Sequence, residues 1–583
     1  MFSKVLVANR GEIAVRIFRS LRELGIGSVA VYSDVDRTAM HARYADEAYA
    51  LGGATSAESY LVVDKLLEAA RATGAGAVHP GYGFLAENAS FARAVEDAGL
   101  VWIGPPPSAI ELMGSKTRAR QAMQAAGVPI IPGTTDPVGS ADEVVALGEE
   151  IGYPLLIKAA AGGGGKGMEI VWSAGEAARA FESAQRQGRS YFADASVYVE
   201  KYLEDPRHVE VQVLADSFGN VIHLGERDCT IQRRHQKLVE ETPSPAVDEE
   251  LRERIGRIAT DAARAAGYRS AGTIEGLLSN GSYYFMEMNT RIQVEHTVTE
   301  EVTGIDLVRA QIGVALGEPL GIAQEDVRIG GHAIECRINA EDPSAGFLPS
   351  PGTITFYREP AGPGVRVDSG VEEGSVVSPL YDPMVAKLIV HGADRDAAIG
   401  RMLRALGEYR IGGVKTLVGF HQALLSHPCF LAGETCHGVV ESPELAARAE
   451  ELSAPEAAPA VASTGATVER VTFAEVDGRR VEVKVHVPEP PYRELGRRRR
   501  ERAAHGAAGA SGALVSPMQG TVLDVKVAEG DTVDVGQVIC VIEAMKMENE
   551  VTAVVAGTVA SLAVAPLQPV SIGQPIAVID PAD

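Results

Sequence analysis

The sequence predicts an α/β body of several domains, followed by a linker and a small all-β sandwich. The chain has 583 residues, which is too long for one hydrophobic core, so we expect roughly three to five domains. Three observations support this fold class: a strand–helix–strand pattern over residues 4–33, a change of composition over 447–512, and a duplicated β-rich segment near the C-terminus.

The composition is that of an ordinary globular protein, and the net charge of −24 argues against a general nucleic-acid-binding protein. The chain begins almost directly with an apolar strand, and no apolar run reaches the roughly 18 residues of a membrane span. We therefore expect neither a signal peptide nor a membrane anchor. The five cysteines are scattered without a Cys-x-x-Cys pair, which predicts a cytoplasmic protein with no disulfide framework and no structural zinc site.

The first element is a βαβ unit. Residues 5–8 and 29–32 are apolar, and residues 11–24 between them have the periodicity of an amphipathic helix. The loop 9–12 lacks the Gly-x-Gly-x-x-Gly spacing of a dinucleotide site, so we expect none there. The mixed α/β pattern continues to about residue 445.

Ala, Pro and Glu dominate the segment 447–512, most clearly over 454–460. Such a composition buries too little apolar surface to order itself and predicts a linker. Residues 468–473 and 481–487 alternate apolar and polar side chains around an Asp-Gly pair, which predicts a β-hairpin. The four arginines at 497–500 are interpreted as solvated linker, with docking on an acidic partner surface as the alternative.

Two segments near the C-terminus recur at an offset of 37 residues. Gly-Thr-Val at 520–522 returns at 557–559, and residues 536–543 return in similar form at 573–580. Two matches at one period, with only two copies, predict a closed pseudo-twofold β-sandwich.

The junction between the two copies is predicted to be a hairpin tip. It reads Glu-Ala-Met-Lys-Met-Glu-Asn and presents Lys546 between two methionines. Ala-Met-Lys-Met within a duplicated sandwich resembles the biotinyl carrier family, whereas the related lipoyl carriers usually show Asp-Lys-Ala. The resemblance implies that a biotin protein ligase attaches biotin to Lys546.

A strand that carries Lys158 leads into the glycine-rich loop 162–167. Glycines let the backbone approach phosphate oxygens, and a lysine adds compact positive charge. The loop is not a Walker A motif, because Gly167 stands where that motif requires Ser or Thr. It predicts a phosphate-binding loop of another type.

Oxygen donors follow on two strands, 273–278 and 283–289, that an Asn-Gly pair joins. Glu287 and Asn289 are two residues apart and share a face. A two-residue turn would place Glu275 on the opposite face, whereas a three-residue turn places all three donors together; we favour the three-residue turn. Such hard oxygen ligands suit Mg²⁺ or Mn²⁺ bridging the phosphates of ATP.

Four motifs give residues 1–445 a resemblance to the biotin carboxylase family, a branch of the ATP-grasp ligases: residues 79–88, 157–168, 199–203 and the strand pair that runs on into 287–296. The family usually has Ser where Ala86 stands. The resemblance implies an N-terminal domain (1–114), an ATP-grasp domain (115–330) with a mobile lid over about 130–203, a C-terminal carboxylase domain (331–446), a linker (447–512) and the carrier (513–583).

The resemblance also assigns residues. It implies nucleotide contacts by Lys116, Lys158, Gly164, Gly165, Glu200, Lys201, Leu203 and His208. It implies contacts to phosphates or bicarbonate by Lys237 with Gln232 and His235, and metal ligation by Glu275, Glu287 and Asn289.

The bicarbonate chemistry is expected in residues 291–295. The planar guanidinium of Arg291 can bind bicarbonate through two hydrogen bonds, with Gln293 and the Val294 N–H completing the cradle. Glu295 can act as the general base. By resemblance, carboxyphosphate breaks down to CO₂ and phosphate, and the ureido nitrogen of biotin captures the CO₂. Arg337 stabilises the ureido oxygen, which becomes enolate-like when that nitrogen is deprotonated.

These resemblances imply an enzyme that carboxylates the biotin on its own chain, with ATP and bicarbonate, and supplies a separate carboxyltransferase β subunit. The layout resembles bacterial acyl-CoA carboxylase α-chains, with acetyl- or propionyl-CoA as the expected acceptors. Alternatives are a component of a methylcrotonyl-CoA or pyruvate carboxylase, a different ATP-grasp ligase, or a non-catalytic carrier protein. A homo-oligomer is expected, because a dimer of the carboxylase body is usual in the family.

Overall fold

The computed structural model describes residues 2–159, 168–192, 194–234, 236–453, 467–476, 479–488, 513–544 and 547–581. The chain divides into two compact units, Met1–Leu452 and Ser453–Asp583. Several sequence predictions fall outside the described residues: those for Gly164, Gly165, His235 and Lys546, the run 454–460, the Asp-Gly pair at 477–478 and the arginines 497–500.

A parallel sheet opens the first unit. Its elements are β1 (Lys4–Val7), α1 (Gly11–Glu23), β2 (Gly27–Tyr32), α2 (Met40–Tyr44), β3 (Glu47–Ala50), α3 (Val63–Thr73), β4 (Ala77–His79), α4 (Ala89–Asp97), β5 (Val101–Trp102) and α5 (Pro107–Gly114). The strand order is β3-β2-β1-β4-β5. Val5 and Val7 pack with α1, and Leu6 packs on the other face with α3 and α4, so the predicted βαβ unit is confirmed.

A small antiparallel sheet follows. Its segment contains α6 (Lys116–Ala125), α7 (Ala141–Ile151), β6 (Leu155–Ala159), β7 (Met168–Val171), α8 (Ala177–Phe192) and β8 (Val197–Lys201). The strand order is β7-β6-β8, and α7 and α8 pack on the sheet. The predicted strand that carries Lys158 is β6.

The rest of the body consists of one large sheet, several helices and three two-stranded sheets. Its first part contains β9 (Arg207–Ala215), β10 (Val221–Arg233), β11 (Gln236–Thr242), α9 (Glu249–Ala265), β12 (Ser270–Ser279), β13 (Ser282–Asn289), α10 (His296–Thr303) and α11 (Leu307–Ala315). Its second part contains β14 (His332–Asn339), β15 (Glu341–Asp342), β16 (Leu348–Pro349), β17 (Gly352–Thr353), β18 (Phe356–Arg358), β19 (Val365–Ser369), β20 (Val376–Val377), β21 (Met384–Gly392), α12 (Arg395–Glu408), β22 (Arg410–Gly412), α13 (Val418–Leu425), α14 (Pro428–Leu431) and α15 (Pro443–Ser453).

Eight of these strands form a continuous antiparallel sheet with the order β13-β12-β9-β10-β11-β14-β21-β19. Strand β11 pairs directly with β14, so Glu240 lies opposite Glu335. The sheet therefore runs without a break from the strands of residues 207–289 into those of residues 332–392, and side chains from both segments share one surface.

Cys429 and Cys436 form a disulfide, whereas the sequence predicted none. The absence of a Cys-x-x-Cys pair misled the prediction, because the turn after α14 brings together two cysteines that are seven residues apart. Cys229, Cys336 and Cys540 are free and buried.

The second unit contains a hairpin and a sandwich. The hairpin consists of β23 (Thr467–Val476) and β24 (Arg479–Pro488) and confirms the prediction around the Asp-Gly pair. The sandwich consists of β25 (Ala513–Val515), β26 (Gly520–Val525), β27 (Thr532–Val533), β28 (Val538–Ala544), β29 (Met547–Thr552), β30 (Gly557–Leu562), β31 (Pro569–Val570) and β32 (Pro575–Pro581).

The sandwich has the predicted pseudo-twofold arrangement. Its sheets have the orders β25-β32-β30-β27 and β29-β28-β26-β31, so each sheet contains strands of both copies. Strands β26, β27 and β28 correspond to β30, β31 and β32 at the offset of 37 residues. Within the described part of the chain, no helix combines the length and apolar character needed to cross a membrane.

The repeated Gly-Thr-Val has a steric origin. A Cβ atom on Gly520 would overlap the backbone oxygen of Glu543, and one on Gly557 would overlap that of Asp580. Both glycines therefore lie where another strand approaches too closely for a side chain.

We predict that Gly557→Ala destabilises the C-terminal sandwich by about 1–3 kcal/mol, because the added methyl group displaces a paired strand. Calorimetry of the full chain would show a lower melting temperature for the unfolding of this sandwich. Val554→Ala is the control: Val554 is 62% exposed, so its loss should change stability by less than about 0.5 kcal/mol. Equal effects of the two changes would contradict the steric argument.

Candidate active site

The candidate active site lies on the face of the large sheet opposite the apolar core beneath α9. Strand β9 shows how the sequence creates this face. Val209, Val211 and Val213 enter the core, and the alternation of a strand directs Glu210 and Gln212 to the opposite face. Both polar side chains are fully buried, so they require polar partners within the protein.

Arg227 on β10 is the main partner of this polar layer. Its five N–H groups donate to Glu210 Oε1 (2.6 Å), Gln212 Oε1 (2.8 Å), Thr299 Oγ1 (2.9 Å), Thr273 Oγ1 (3.3 Å) and Gln293 Oε1 (2.6 Å). Arg227 is fully buried, and the sequence analysis missed it. The sequence next to Arg227 gives no sign of its role, because its partners come from four other segments of the chain.

Lys237 on β11 connects three carboxylates. Its Nζ donates to Glu210 Oε2 at 2.5 Å, to Glu295 Oε1 at 2.6 Å and to Glu275 Oε1 at 3.1 Å. Burial by itself would lower the pKa of Lys237, but these carboxylates hold the pKa well above its usual value. The ammonium group is therefore a fixed positive charge on the site surface.

Glu295 lies between Lys237 and Arg337, whose guanidinium donates to its Oε2 at 2.9 Å. Burial opposes ionisation, but Lys237, Arg337 and Arg227 hold the pKa of Glu295 well below its usual value. Arg337 also donates to Glu240 Oε1 at 2.7 Å. Burial raises the pKa of Glu240 to about 7. Glu240 is a second carboxylate on Arg337 that the sequence analysis did not identify.

The turn between β12 and β13 differs from the one that the sequence analysis favoured. Ser279 pairs with Ser282, so the turn has two residues, Asn280 and Gly281, with φ angles of +49° and +73°. Asn tolerates the left-handed region and Gly populates it freely, so this pair favours the two-residue turn. The prediction of a three-residue turn is wrong.

A β-bulge nevertheless brings the three oxygen donors to one face. The pairing shifts between Glu275 and Gly276, so Glu275 lies opposite Glu287 rather than opposite Met286. The Asn289 amide donates to Glu275. The common face therefore results from the bulge and not from the turn.

This donor set fits a hard divalent cation. Burial and the neighbouring Glu275 raise the pKa of Glu287, and a cation between the two carboxylates would relieve their repulsion. The side chains of His208, Glu210 and Glu275 also place possible ligand atoms within 4.8 Å of one another. Both oxygens of the fully buried Glu210 already accept from cations, Arg227 and Lys237, so the predicted set of Glu275, Glu287 and Asn289 remains the candidate.

Arg291 is oriented by a residue of the 79–88 motif. Its Nε donates to Glu87 Oε2 at 3.0 Å and a terminal nitrogen donates to Asn289 Oδ1 at 3.1 Å, while the Thr290 N–H donates to Glu87 Oε1 at 3.0 Å. The sequence analysis quoted Glu87 within the motif but assigned it no role. The structure makes it the contact that joins the parallel-sheet domain to Arg291.

The other two residues of the predicted bicarbonate cradle, Gln293 and Val294, form hydrogen bonds to residues of other strands. The Gln293 amide donates to Glu275 Oε1 at 2.6 Å. The carbonyl of Val294 accepts from Lys387 Nζ at 2.7 Å. Lys387 is fully buried on β21 and lies 3.6 Å from Glu12 Oε2. The sequence analysis missed Lys387, because β21 is far from this segment in sequence.

The predicted nucleotide contacts occupy two places. Lys158 on β6 forms an ion pair with Glu200 on β8, which Arg120 approaches at 3.4 Å. Lys116 lies near Glu287, and burial lowers the pKa of its ammonium group. The structure therefore connects Lys116 electrostatically to the predicted metal ligands.

The segment after β8 contains the remaining predicted contacts. Lys201 Nζ donates to the carbonyls of residues 152 and 153, and its backbone N–H donates to the Pro132 carbonyl at 2.8 Å. Leu203 is half-buried. His208 lies 2.8 Å from Glu275 Oε2 and 2.9 Å from the Gln232 amide, which joins these two predicted residues to the metal-binding set.

We predict that Arg227→Gln destabilises the body by roughly 3–5 kcal/mol, because the buried Glu210 loses one of its two cations and the other buried acceptors of Arg227 lose their donor. Thermal unfolding of the full chain would measure the change. Arg264→Gln is the control, since the Arg264 side chain is 53% exposed and forms a surface ion pair with Asp261 and a hydrogen bond to the Val221 carbonyl, where an ion pair contributes roughly 0–1 kcal/mol. An equal loss of stability in the two variants would contradict the role of Arg227.

Four family models match the chain in succession. They are the biotin carboxylase N-terminal domain over residues 1–110, the carbamoyl-phosphate synthase L chain ATP-binding domain over 115–323, the biotin carboxylase C-terminal domain over 335–442 and the biotin-requiring enzyme domain over 512–579.

The chain is similar to proteins with two kinds of name. It is 48% identical over 572 residues to the biotin-dependent acyl-coenzyme A carboxylase alpha3 subunit of Mycobacterium leprae, and the match covers 94% of each chain. It is 57% identical over 434 residues to a pyruvate carboxylase subunit of Methanothermobacter thermautotrophicus, and this match covers 74% of this chain and 88% of the relative.

Solved structures match the body. The biotin carboxylase of Campylobacter jejuni aligns with a TM-score of 0.72 at 46% identity, over 75% of this chain and 98% of that one. The biotin carboxylase domain of 2-oxoglutarate carboxylase from Hydrogenobacter thermophilus aligns with a TM-score of 0.71 at 48% identity, over 76% and 99%. The predicted family and fold are confirmed: the chain belongs to the biotin carboxylase family and carries a biotin-type carrier domain on the same polypeptide.

Proposed function

We propose that this chain uses ATP to carboxylate, with bicarbonate, a biotin attached to its own Lys546 by a biotin protein ligase. The observation that carries the proposal is the convergence of Lys237 and Arg337 on the ionised Glu295, next to the oxygen donors of the bulged hairpin. A carboxylate base between fixed cations suits the deprotonation of a bound anion.

The residues of the chain divide the work as follows. Arg291 binds bicarbonate, with Gln293 and the Val294 N–H completing the cradle, and Glu295 takes the bicarbonate proton on a carboxylate oxygen. The deprotonated oxygen then attacks the γ-phosphorus of ATP and ADP leaves, which produces carboxyphosphate. Lys237 neutralises the charge that develops, and Arg337 orients the ureido oxygen of biotin. Carboxyphosphate then separates into CO₂ and phosphate. When bound, biotin would supply the ureido nitrogen, which would give its proton to the phosphate and take up the CO₂.

The nucleotide and metal are assigned to neighbouring groups. Lys116 and Lys158 would contact phosphates, and the segment from Glu200 to Leu203 would meet the adenine and ribose. His208 and Gln232 would support the phosphate end. Glu275, Glu287 and Asn289 would hold Mg²⁺ or Mn²⁺, whose charge offsets that of the phosphates.

We further propose that a separate carboxyltransferase β subunit transfers the carboxyl group to an acyl-CoA, with acetyl- or propionyl-CoA as the acceptor. The similarity to the Mycobacterium leprae acyl-CoA carboxylase protein supports this choice, because it covers 94% of the chain, whereas the pyruvate carboxylase relative covers 74%. Pyruvate remains the second candidate. We also propose a homo-oligomer of the body within the complex.

We predict that the full chain, expressed with a biotin ligase, gains one biotin and that Lys546→Ala abolishes the gain in intact mass. Together with its partner subunit, the biotinylated chain should carboxylate acetyl- or propionyl-CoA in an assay with labelled bicarbonate. Biotin on another lysine would overturn the carrier assignment. Turnover of pyruvate alone would overturn the acceptor.

We predict different losses for the two arginines. Arg291→Ala should lower bicarbonate-dependent ATP cleavage and biotin carboxylation together, by roughly 100-fold or more, because the anion is lost before the first step. Arg337→Ala should lower carboxylation of biotin more than ATP cleavage. Since Arg337 also lowers the pKa of Glu295, its loss should move the acid limb of the rate–pH profile for ATP cleavage to higher pH.

Rates of ADP release and of labelled-carbonate fixation, measured from pH 5 to 9, would test this division. Arg404→Ala is the control, since Arg404 forms an exposed i,i+4 pair with Glu408. Identical losses in both reactions for both site variants would show that the roles are wrongly divided.

A further inference from the structure

The Cys429–Cys436 disulfide closes a surface loop. Both cysteines are buried, but Leu431, Ala432 and Glu434 between them are exposed. The Nδ1 atom of His427 lies 3.1 Å from Cys429 Sγ. The same nitrogen accepts from the Cys429 backbone N–H at 3.2 Å, so His427 lies directly against one sulfur of the disulfide.

The loop holds the connection between β8 and β9. The carbonyl of Gly433 accepts from Arg207, Thr435 Oγ1 donates to Asp205 at 2.8 Å, and the His437 ring contacts the same carboxylate. We call residues 429–437 the clasp. The connection that it holds, residues 202–206, directly follows Glu200 and Lys201.

Two residues of this contact have a backbone conformation that L-residues disfavour. Cys436 has φ +53° and Asp205 has φ +44°. Such a conformation persists only when the surroundings impose it. The disulfide is the covalent constraint on Cys436, so its cleavage would let Cys436 relax and move the adjacent Thr435 and His437 away from Asp205.

We propose that the Cys429–Cys436 pair is a thiol–disulfide exchange site for a dithiol reductant, and that its oxidation state sets how firmly the 202–206 connection is held and therefore how well ATP binds. The second half rests on the proposed function, in which the segment from Glu200 to Leu203 meets the nucleotide.

The exchange balances as a two-electron reaction. A thiolate of the dithiol attacks Cys436 Sγ, and the bond to Cys429 breaks, so that Cys429 leaves as a thiolate and takes a proton. The second thiol of the reductant then attacks the mixed disulfide, releases Cys436 as a thiol and forms the disulfide of the reductant. Two electrons and two protons pass to the cysteine pair. A disulfide oxidant drives the reverse reaction.

The test uses the full biotinylated chain in an air-oxidised form and in a form treated with dithiothreitol or reduced thioredoxin. Alkylation of unfolded protein followed by intact mass should show two fewer labels in the oxidised form. Reduction should raise the KM for ATP in bicarbonate-dependent ATP cleavage roughly three- to tenfold, the effect of losing a few surface contacts. The KM for bicarbonate should stay within about twofold. Hydrogen exchange of residues 202–207 should become faster.

Three variants sharpen the test. Cys429→Ser/Cys436→Ser should have the high KM for ATP with and without reductant. Asp205→Ala should keep the disulfide and lose the redox response, which removes the coupling without altering the cysteines. Cys540→Ala, which changes a free cysteine of the carrier sandwich, should respond like the unaltered chain.

Equal labelling of the two forms would disprove the disulfide. A disulfide with unchanged hydrogen exchange and unchanged KM for ATP would disprove the control of ATP binding. If neither form cleaves ATP, the proposed function fails, while labelling and hydrogen exchange still decide whether the clasp responds to reduction.

Discussion

The ammonium group of Lys237 contacts Glu210, Glu275 and Glu295, and the rest of the site depends on this contact. An unpaired buried charge is costly, so every member of such a cluster must be matched. Arg227 provides the second cation on Glu210. The cluster therefore determines the relative positions of the sheet and the segment that contains Glu295.

The continuous sheet makes this matching possible. Because β11 pairs with β14, the C-terminal strands add Arg337 and Lys387 to the surface that the ATP-grasp strands begin. Arg337 reaches the side chain of Glu295, and Lys387 reaches the backbone of Val294. Two neighbouring residues, Val294 and Glu295, are thus held by the pair of strands β14 and β21, which lies far along the sequence and fixes the position of the Glu295 carboxylate.

The low pKa of Glu295 illustrates a balance within this site. The cations that keep it ionised also make it a weaker base. Under the proposed function, Lys237 also neutralises the charge that develops on the reacting anion, so it stabilises the ionised Glu295 less at that point and the proton affinity of Glu295 rises. Arg337, which has Glu240 as a second partner, can turn towards biotin without leaving its own charge unmatched.

The sequence by itself determined the order of domains, the duplicated sandwich, the linker hairpin and the short motifs of the site. These features depend on local periodicity, turn chemistry and steric limits such as that at Gly557, all of which neighbouring residues express. Only the tertiary structure decided the bulge that aligns Glu275 with Glu287, the burial of Arg227 and the pairing of Cys429 with Cys436. Each of these features depends on a partner residue that the fold brings from another turn or strand. No single segment of the sequence contains both partners, so local patterns could not predict the contact.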